Sequence, residues 1–278
     1  MNTLKEKIQQ IAENGKLDNL AEFSSLAEEL LAGLNNGSVR SAEPDGNGGW
    51  KVNMWVKQGI LLLFKYGSLT DMSINDSFKF YDKNFNSLKA FSLEDNVRIV
   101  PGGSSIRTGC YLAKGVICMP PMYINIGSYV DEGSMIDSHA LVGTCAQIGK
   151  RVHLSAAAQV GGVLEPPGAR PVIIEDDVLI GGNCGIYEGT LVRKRAVFGS
   201  GVIVTASTKI YDLVNERIIK SEPGIPLEIP EGAVLIPGAR AVNTPFGLEH
   251  KLSIASPMII KYRDDKTDAK TALEEALR

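Results

Sequence analysis

Three carboxylates, Asp131, Glu132 and Asp137, follow aliphatic residues (Val130 and Ile136) of a regularly spaced series. If the aliphatic member points inward, its successor points out, so Asp137 should present its side chain at the surface. A carboxylate placed there can accept a proton from a bound nucleophile. It can equally close a chain corner by accepting from backbone N–H groups. His139 lies two residues further on; it is either a second acid/base group or a packed or solvated imidazole. A zinc centre built on three histidines is not expected: the other two are His153, fourteen residues away, and His250, outside the regular series. No metal is expected. Cys110, Cys118, Cys145 and Cys184 form no CxxC pair, so they read as small core residues.

The element that must position these groups is a repeat. Aliphatic residues recur every six positions at Val100, Ile106, Leu112, Ile124, Val130, Ile136, Val142, Ile148, Leu154 and Val160, with Cys118 completing the run. The period resumes at Ile174, Ile180, Ile186, Val192, Phe198, Val204 and Ile210, with a looser continuation at Ile229 and Leu235. Four places after each sits a small or modest side chain, such as Ser128, Ser134, Ala140 and Ala146. A period of six fits neither a helix nor an alternating strand; it fits the hexapeptide β-helix, in which three hexads complete one triangular coil. The aliphatic residue fills the prism and the small one sits where the chain bends. Gly143, Gly149, Gly181 and Gly199 directly follow the aliphatic position and are expected to take up unusual corner dihedrals. Residues 161–173, with Pro166, Pro167 and Pro171, should leave the coil as an external loop.

Before the repeat the pattern is helical. Thr3-Leu4-Lys5-Glu6 has capping-box spacing, and Leu4, Ile8 and Ile11 share one helical face up to Gly15. A second helix carries Leu20, Ala27, Leu30, Leu31 and Leu34 and stops at Asn35-Asn36-Gly37; a strand near Trp50–Val52 and a helix over Met54–Phe64 follow. The expected division is a mostly helical domain over 1–96, the prism over 97–242 and a C-terminal strand-and-helix cap over 243–278. The open ends of a prism invite edge pairing, so the first domain and the cap are expected to cover one end each.

A net charge of −3 over 278 residues gives no indication of nucleic-acid or membrane partners. The longest apolar run, Gly59–Phe64, is far too short to span a bilayer, and the polar start MNTLKEKIQQ does not read as a signal peptide. A cytoplasmic protein is expected.

A repeat alone does not fix function. The segment Tyr123–Pro166, reading YINIGSYVDEGSMIDSHALVGTCAQIGKRVHLSAAAQVGGVLEP, resembles the tetrahydrodipicolinate N-succinyltransferase family of lysine and diaminopimelate biosynthesis. So do VRIVPGG at 97–103, VIIEDDVLIGGNCGIYEG at 172–189 and VTASTKIYD at 204–212. The resemblance covers nearly the whole chain. It implies a mainly β, left-handed parallel β-helix, assembled as a homotrimer with active sites between subunits, moving succinyl from succinyl-CoA to the substrate amine.

The resemblance also implies roles. Asp137 binds and deprotonates the amine, with Asp131 and Glu132 as lesser candidates. Arg98 grips a substrate carboxylate by a two-pronged contact, with Arg107 in reserve. Glu188 is the second catalytic candidate. Gly182, Gly199, Ser200, Ser207 and Lys209 fall in the CoA-binding region, and Gly182 and Ser200, eighteen apart, should stack. Lys251 and Lys261 are further candidates for the CoA phosphates. The chain departs from the family where some members carry a glutamate and it has Gly185, and where tryptophan is common and it has His139. Two other readings remain open: acetyl-CoA as donor to the same acceptor, and a non-catalytic hexapeptide scaffold.

Overall fold

The computed structural model describes residues 3–17 and 19–264. Its centre is a triangular prism of two-residue strands joined by tight corners. Wall I contains Arg98–Ile99, Ile117–Cys118, Met135–Ile136, His153–Leu154, Leu179–Ile180, Val197–Phe198 and Ala233–Ile236. Wall II contains Ser105–Ile106, Tyr123–Ile124, Leu141–Val142, Gln159–Val160, Gly185–Ile186 and Ile203–Val204. Wall III contains Tyr111–Leu112, Tyr129–Val130, Gln147–Ile148, Ile173–Ile174, Leu191–Val192 and Glu228–Ile229. Within each wall the strands pair in parallel. Ile136 opposes Cys118 on one side and Leu154 on the other.

The inward column is dry. Ile124, Val130, Ile136, Val142, Leu154, Val160, Ile174, Ile180 and Ile186 are fully buried, each worth about 1.5–3 kcal/mol of transfer free energy. The small residues four places later complete the column, and their hydroxyls stay satisfied. Ser128 Oγ donates to Gly143 O at 2.9 Å and Ser134 Oγ to Gly149 O at 2.7 Å.

The corners correct one expectation. Many are turns closed by a hydrogen bond such as Ala140 N→Asp137 O at 3.1 Å or Ala158 N→Ser155 O at 3.0 Å. The left-handed residue is the third after the aliphatic one, not the first. Gly127, Gly133 and Gly189 occupy it, but so do His139, Cys145, Ala157 and Asn183. Gly143, Gly149, Gly181 and Gly199 have ordinary φ. For Gly143, Gly149 and Gly181 the reason for glycine is space: an added Cβ would lie 2.2 Å from Gly162 N, 2.7 Å from Asp176 N and 2.6 Å from Phe198 O, respectively.

The register departs from the expected series at both ends. Ile99, not Val100, opposes Cys118, because the first strand sits on a seven-residue spacing from Ile106. Val192 is followed on wall III by Ile229 rather than Ile210. The chain leaves the prism after Val204, and Ile210–Asp212 pairs instead with Arg217–Ile219 and Met258–Tyr262.

Helices α1 (Leu4–Asn14) and α2 (Leu20–Asn36) end where their glycines and asparagines predict, while α3 (Met54–Tyr66) runs two residues past its expected end at Phe64, up to its cap at Gly67. They do not cover an end of the prism. They flank it along the corner between walls II and III and across wall III, where Ile126 and Cys145 join the core of Ile8, Phe23, Leu30 and Ile60. Ser41 Oγ donates to Cys145 O at 2.8 Å, and Arg40 Nε to Gln147 Oε1 at 3.0 Å. The guanidinium of Arg40 also lies 3.6 Å over the Tyr129 ring. The first coil is covered by Phe91 and Val97, which pack on the prism core.

At the other end Met258–Tyr262 pairs antiparallel with Ala233–Ile236. Buried Asp212 anchors this cap. Burial opposes its ionisation, but hydrogen bonds from Tyr262, Asn215 and Arg217 outweigh that and hold its carboxyl at about 2. The helix expected towards Arg278 lies outside the described residues. No helix among the described residues is long and apolar enough to cross a membrane.

Ile136→Asp should abolish the folded state, because an unpaired carboxylate would enter a fully apolar column. A soluble variant with an unchanged melting temperature in calorimetry would refute the inward assignment.

Candidate active site

The period sorts the candidate residues onto edges. The edge between walls I and II is formed by residues 119–121, 137–139, 155–157, 181–183 and 199–201. Asp137 stands near its start. Three rungs, about 14 Å, separate it from Ser200, and the edge between them carries only Ser155, Ala156, Ala157, Gly181, Gly182, Asn183 and Gly199. Gly182 and Ser200 do stack: Gly201 N donates to Gly182 O at 2.9 Å, and a Cβ on Gly182 would lie 3.9 Å from Ser200 Oγ. The edge runs on into a hollow of about 280 Å³ lined by Gly201, Ser207, Lys209, Pro237 and Arg240. Gly182 and Ser200 thus share one edge, and Gly201, next to Ser200, shares the hollow with Ser207 and Lys209; Gly199 lies on the same edge but is buried.

Asp137 is partly exposed. Its Oδ1 accepts from Ser138 N at 2.7 Å, and its Oδ2 lies 3.7 Å from His153 Nε2. His139 is exposed on the turn, with φ 62°, beside a shallow hollow of about 390 Å³ that includes Ser105, Tyr123 and Leu141. Arg98 is exposed on wall I, on the first strand, two rungs from Met135. Asp131, Lys150 and Asp176 line a separate hollow beside Arg40 and Trp50.

Glu188 is not beside Asp137. It lies on the opposite edge of wall II, exposed, with Oε2 accepting from Ala206 N at 2.8 Å. That edge holds both interruptions of the repeat, residues 161–172 and 205–227, and the two segments wall a cleft of about 1060 Å³ around Tyr187, Glu188 and Gly189. Arg170 ties the insertions together through Gly189 O at 2.9 Å, Leu227 O at 3.3 Å and Glu228 Oε1 at 3.2 Å. The first insertion is also held by Lys57, a buried lysine whose Nζ donates to Ala169 O at 2.7 Å; desolvation lowers its pKa, offset in part by Cys145. Arg107, on this same edge, is engaged by Asp82 of the N-terminal segment.

Sequence reasoning missed Tyr187. Its ring lies across Gly161 and Gly185, so a Cβ at Gly185 would come within 2.4 Å of Tyr187 Cε2. The space a longer residue 185 would fill is occupied by the tyrosine. His153 was also passed over. Its signal was present, since it pairs directly with Met135 and so sits one rung below the strand that leads into Asp137. The cysteines are core residues: burial pushes Cys110, Cys118 and Cys145 up to about 12 and Cys184 to about 11, far from the thiolate form that reacts. Among the described residues no cluster of three or more His, Cys, Asp or Glu side chains could hold a metal ion.

A prism of hexapeptide rungs with a smooth outer edge is the architecture of the hexapeptide-repeat acyltransferases, and residues 171–206 match the family described as "Hexapeptide repeat of succinyl-transferase". Residues 3–66 match "Tetrahydrodipicolinate N-succinyltransferase N-terminal". Three curated relatives are each called 2,3,4,5-tetrahydropyridine-2,6-dicarboxylate N-succinyltransferase. The Variovorax paradoxus protein is 41% identical over 93% of this chain and 91% of its own length. Those of Acinetobacter baylyi and Polynucleobacter asymbioticus are 40% and 39% identical, each over 93% of this chain and 90% of their own length. The chain belongs to the tetrahydrodipicolinate N-succinyltransferase family.

Adjacent glycines on the Asp137 edge should differ in their tolerance of a side chain. Gly181→Ala drives a Cβ to 2.6 Å from Phe198 O and 2.7 Å from Ser200 N, an overpacking that costs about 1–3 kcal/mol. At Gly182 the nearest atom is Ala156 O at 3.2 Å, a milder crowding, so Gly182→Ala should melt above Gly181→Ala. Equal melting temperatures for the two variants in calorimetry would refute the packing of this edge.

Proposed function

We propose that the chain is a CoA-dependent N-succinyltransferase that acylates the amine of tetrahydrodipicolinate in its open-chain keto-amino form, a step of lysine and diaminopimelate biosynthesis. The observation that carries the reading is the edge between walls I and II, where a carboxylate heads a line of small residues leading to a hollow with two cations. Membership of the family supplies acceptor and donor. The acyl-CoA lies along Gly182 and Ser200, whose small side chains let the pantetheine arm approach the backbone; Gly199, buried on the same edge, gives it room without touching it. Ser207 and Lys209, joined by Arg240, receive its phosphate end. Succinyl-CoA is the donor, and acetyl-CoA is the competing possibility.

The reaction needs little chemistry from the protein. The acceptor amine must be neutral to attack the thioester carbonyl. Asp137 holds the ammonium and accepts its proton, the amide bond forms, and the C–S bond breaks as CoA leaves and takes up a proton. Arg98 grips a carboxylate of the acceptor with its planar fork. Arg107, already engaged by Asp82, is the weaker candidate. Glu188 lies across wall II from Asp137 and can join it only from a second prism. A homotrimer in which the Asp137 edge of one subunit faces the Glu188 cleft of the next unites them. Family resemblance also gives the coil its left hand. Free cysteines suit a cytoplasmic enzyme.

Asp137→Asn should keep the fold and the affinity for CoA, yet lose turnover by about 10²–10⁴-fold, the usual contribution of a general base. Arg98→Lys should mainly raise KM for the acceptor, because it retains charge but loses the two-pronged contact. Steady-state kinetics with succinyl-CoA, acetyl-CoA and tetrahydrodipicolinate measure both. Turnover of Asp137→Asn within about threefold of the parent, well short of that range, would remove Asp137 as the base. Faster turnover with acetyl-CoA would reassign the donor, and no CoA binding at all would favour the scaffold reading.

The shared site also makes assembly necessary for activity. Sedimentation at assay concentration should show a trimer; an active monomer would overturn the arrangement.

A further inference from the structure

The imidazole of His153 is nearly half exposed, yet its Nε2 is covered from solvent and has no hydrogen-bond partner. A covered polar atom without a partner is costly and calls for a reason. Asp137 Oδ2 lies 3.7 Å from Nε2, too far for a hydrogen bond. The other carboxylate oxygen is already fixed by Ser138 N at 2.7 Å, so Asp137 is tethered at one oxygen and loose at the other. The fold supports the pairing. Met135 opposes His153 across one rung of wall I, with Leu179 on the far side. The outward side chain of His153 therefore has apolar neighbours above and below and one carboxylate at its tip. An ionised carboxylate can only accept, so an approach by Nε2 requires that nitrogen to carry the proton.

We propose that His153 is a positioning residue for Asp137: when the acceptor binds, Nε2–H closes on Oδ2 and turns the carboxylate towards the amine. This rests on the reading of Asp137 as the base. A shift of less than 1 Å converts the contact into a hydrogen bond, and catalytic hydrogen bonds are often long before substrate binds. His153 touches neither substrate nor CoA in this arrangement; it acts through Asp137.

The test is steady-state kinetics with succinyl-CoA and tetrahydrodipicolinate on His153→Ala, His153→Gln, Asp137→Asn and the His153→Ala/Asp137→Asn double variant, each checked by thermal melting. Misplacing a reacting group by about 1 Å can cost about 10²-fold, so kcat of His153→Ala should fall by about 10–100-fold while KM for succinyl-CoA stays unchanged. His153→Gln, whose amide nitrogen reaches the place of Nε2, should recover most of the loss. In the double variant the histidine substitution should add nothing, because the group it orients is gone. If His153→Ala turns over within about threefold of the parent while Asp137→Asn has collapsed, the inference fails and the assignment of Asp137 stands. If the histidine substitution costs the same with and without Asp137, His153 acts on something else and the inference again fails. If Asp137→Asn itself is fully active, the assignment of the base falls and takes the inference with it.

Discussion

The stacking of one coil on the next fixes everything else in this molecule. Each rung hydrogen-bonds its backbone to the rung of the next coil and buries an aliphatic side chain on that rung's counterpart, as Ile136 does between Cys118 and Leu154. Neither half suffices alone. The hydrogen bonds are local and weakly selective in register, whereas the apolar column penalises any slip, because a shift by one residue would turn every buried side chain outwards. Together they convert sequence number into position: the edge or wall a residue occupies follows from its place in the hexad.

That conversion explains what could be read in advance. The prism, the alignment of Gly182 with Ser200 and the outward placement of Asp137 all follow from the period. So does the separation of Asp137 from Glu188, since they are not a whole number of coils apart, although the family resemblance gave both a catalytic role. His153 was legible by the same count, one rung below Met135, and was overlooked because its own chemistry is ambiguous. The helical termini were legible from capping residues: Thr3 and Glu6 cap each other at 2.7 and 3.3 Å.

What was not legible is what departs from the period. Nothing in residues 205–227 announces that Ile210 leaves the prism and Ile229 replaces it; both are aliphatic and both are fully buried. The site of N-terminal docking depended on side chains outside the repeat, among them Arg40, Ser41 and Trp50, whose partners Gln147, Cys145 and Glu175 give no periodic signal. The corner glycines were placed correctly but for the wrong reason. The constraint at Gly143, Gly149 and Gly181 is the neighbouring coil's backbone, and a sequence does not display distance.

Both interruptions of the repeat fall on the same edge, between walls II and III. Val160 and Ile174 are fourteen residues apart rather than six, and Val204 and Ile229 are twenty-five apart, yet the coils on either side stay in register. An excursion that leaves and re-enters at one corner adds length without rotating the stack. A single residue inserted inside a rung would instead displace every later position, from that rung to the last. The chain's freedom to lengthen is therefore concentrated at its corners, and it is there, rather than on the walls, that the repeat has made room for a cleft.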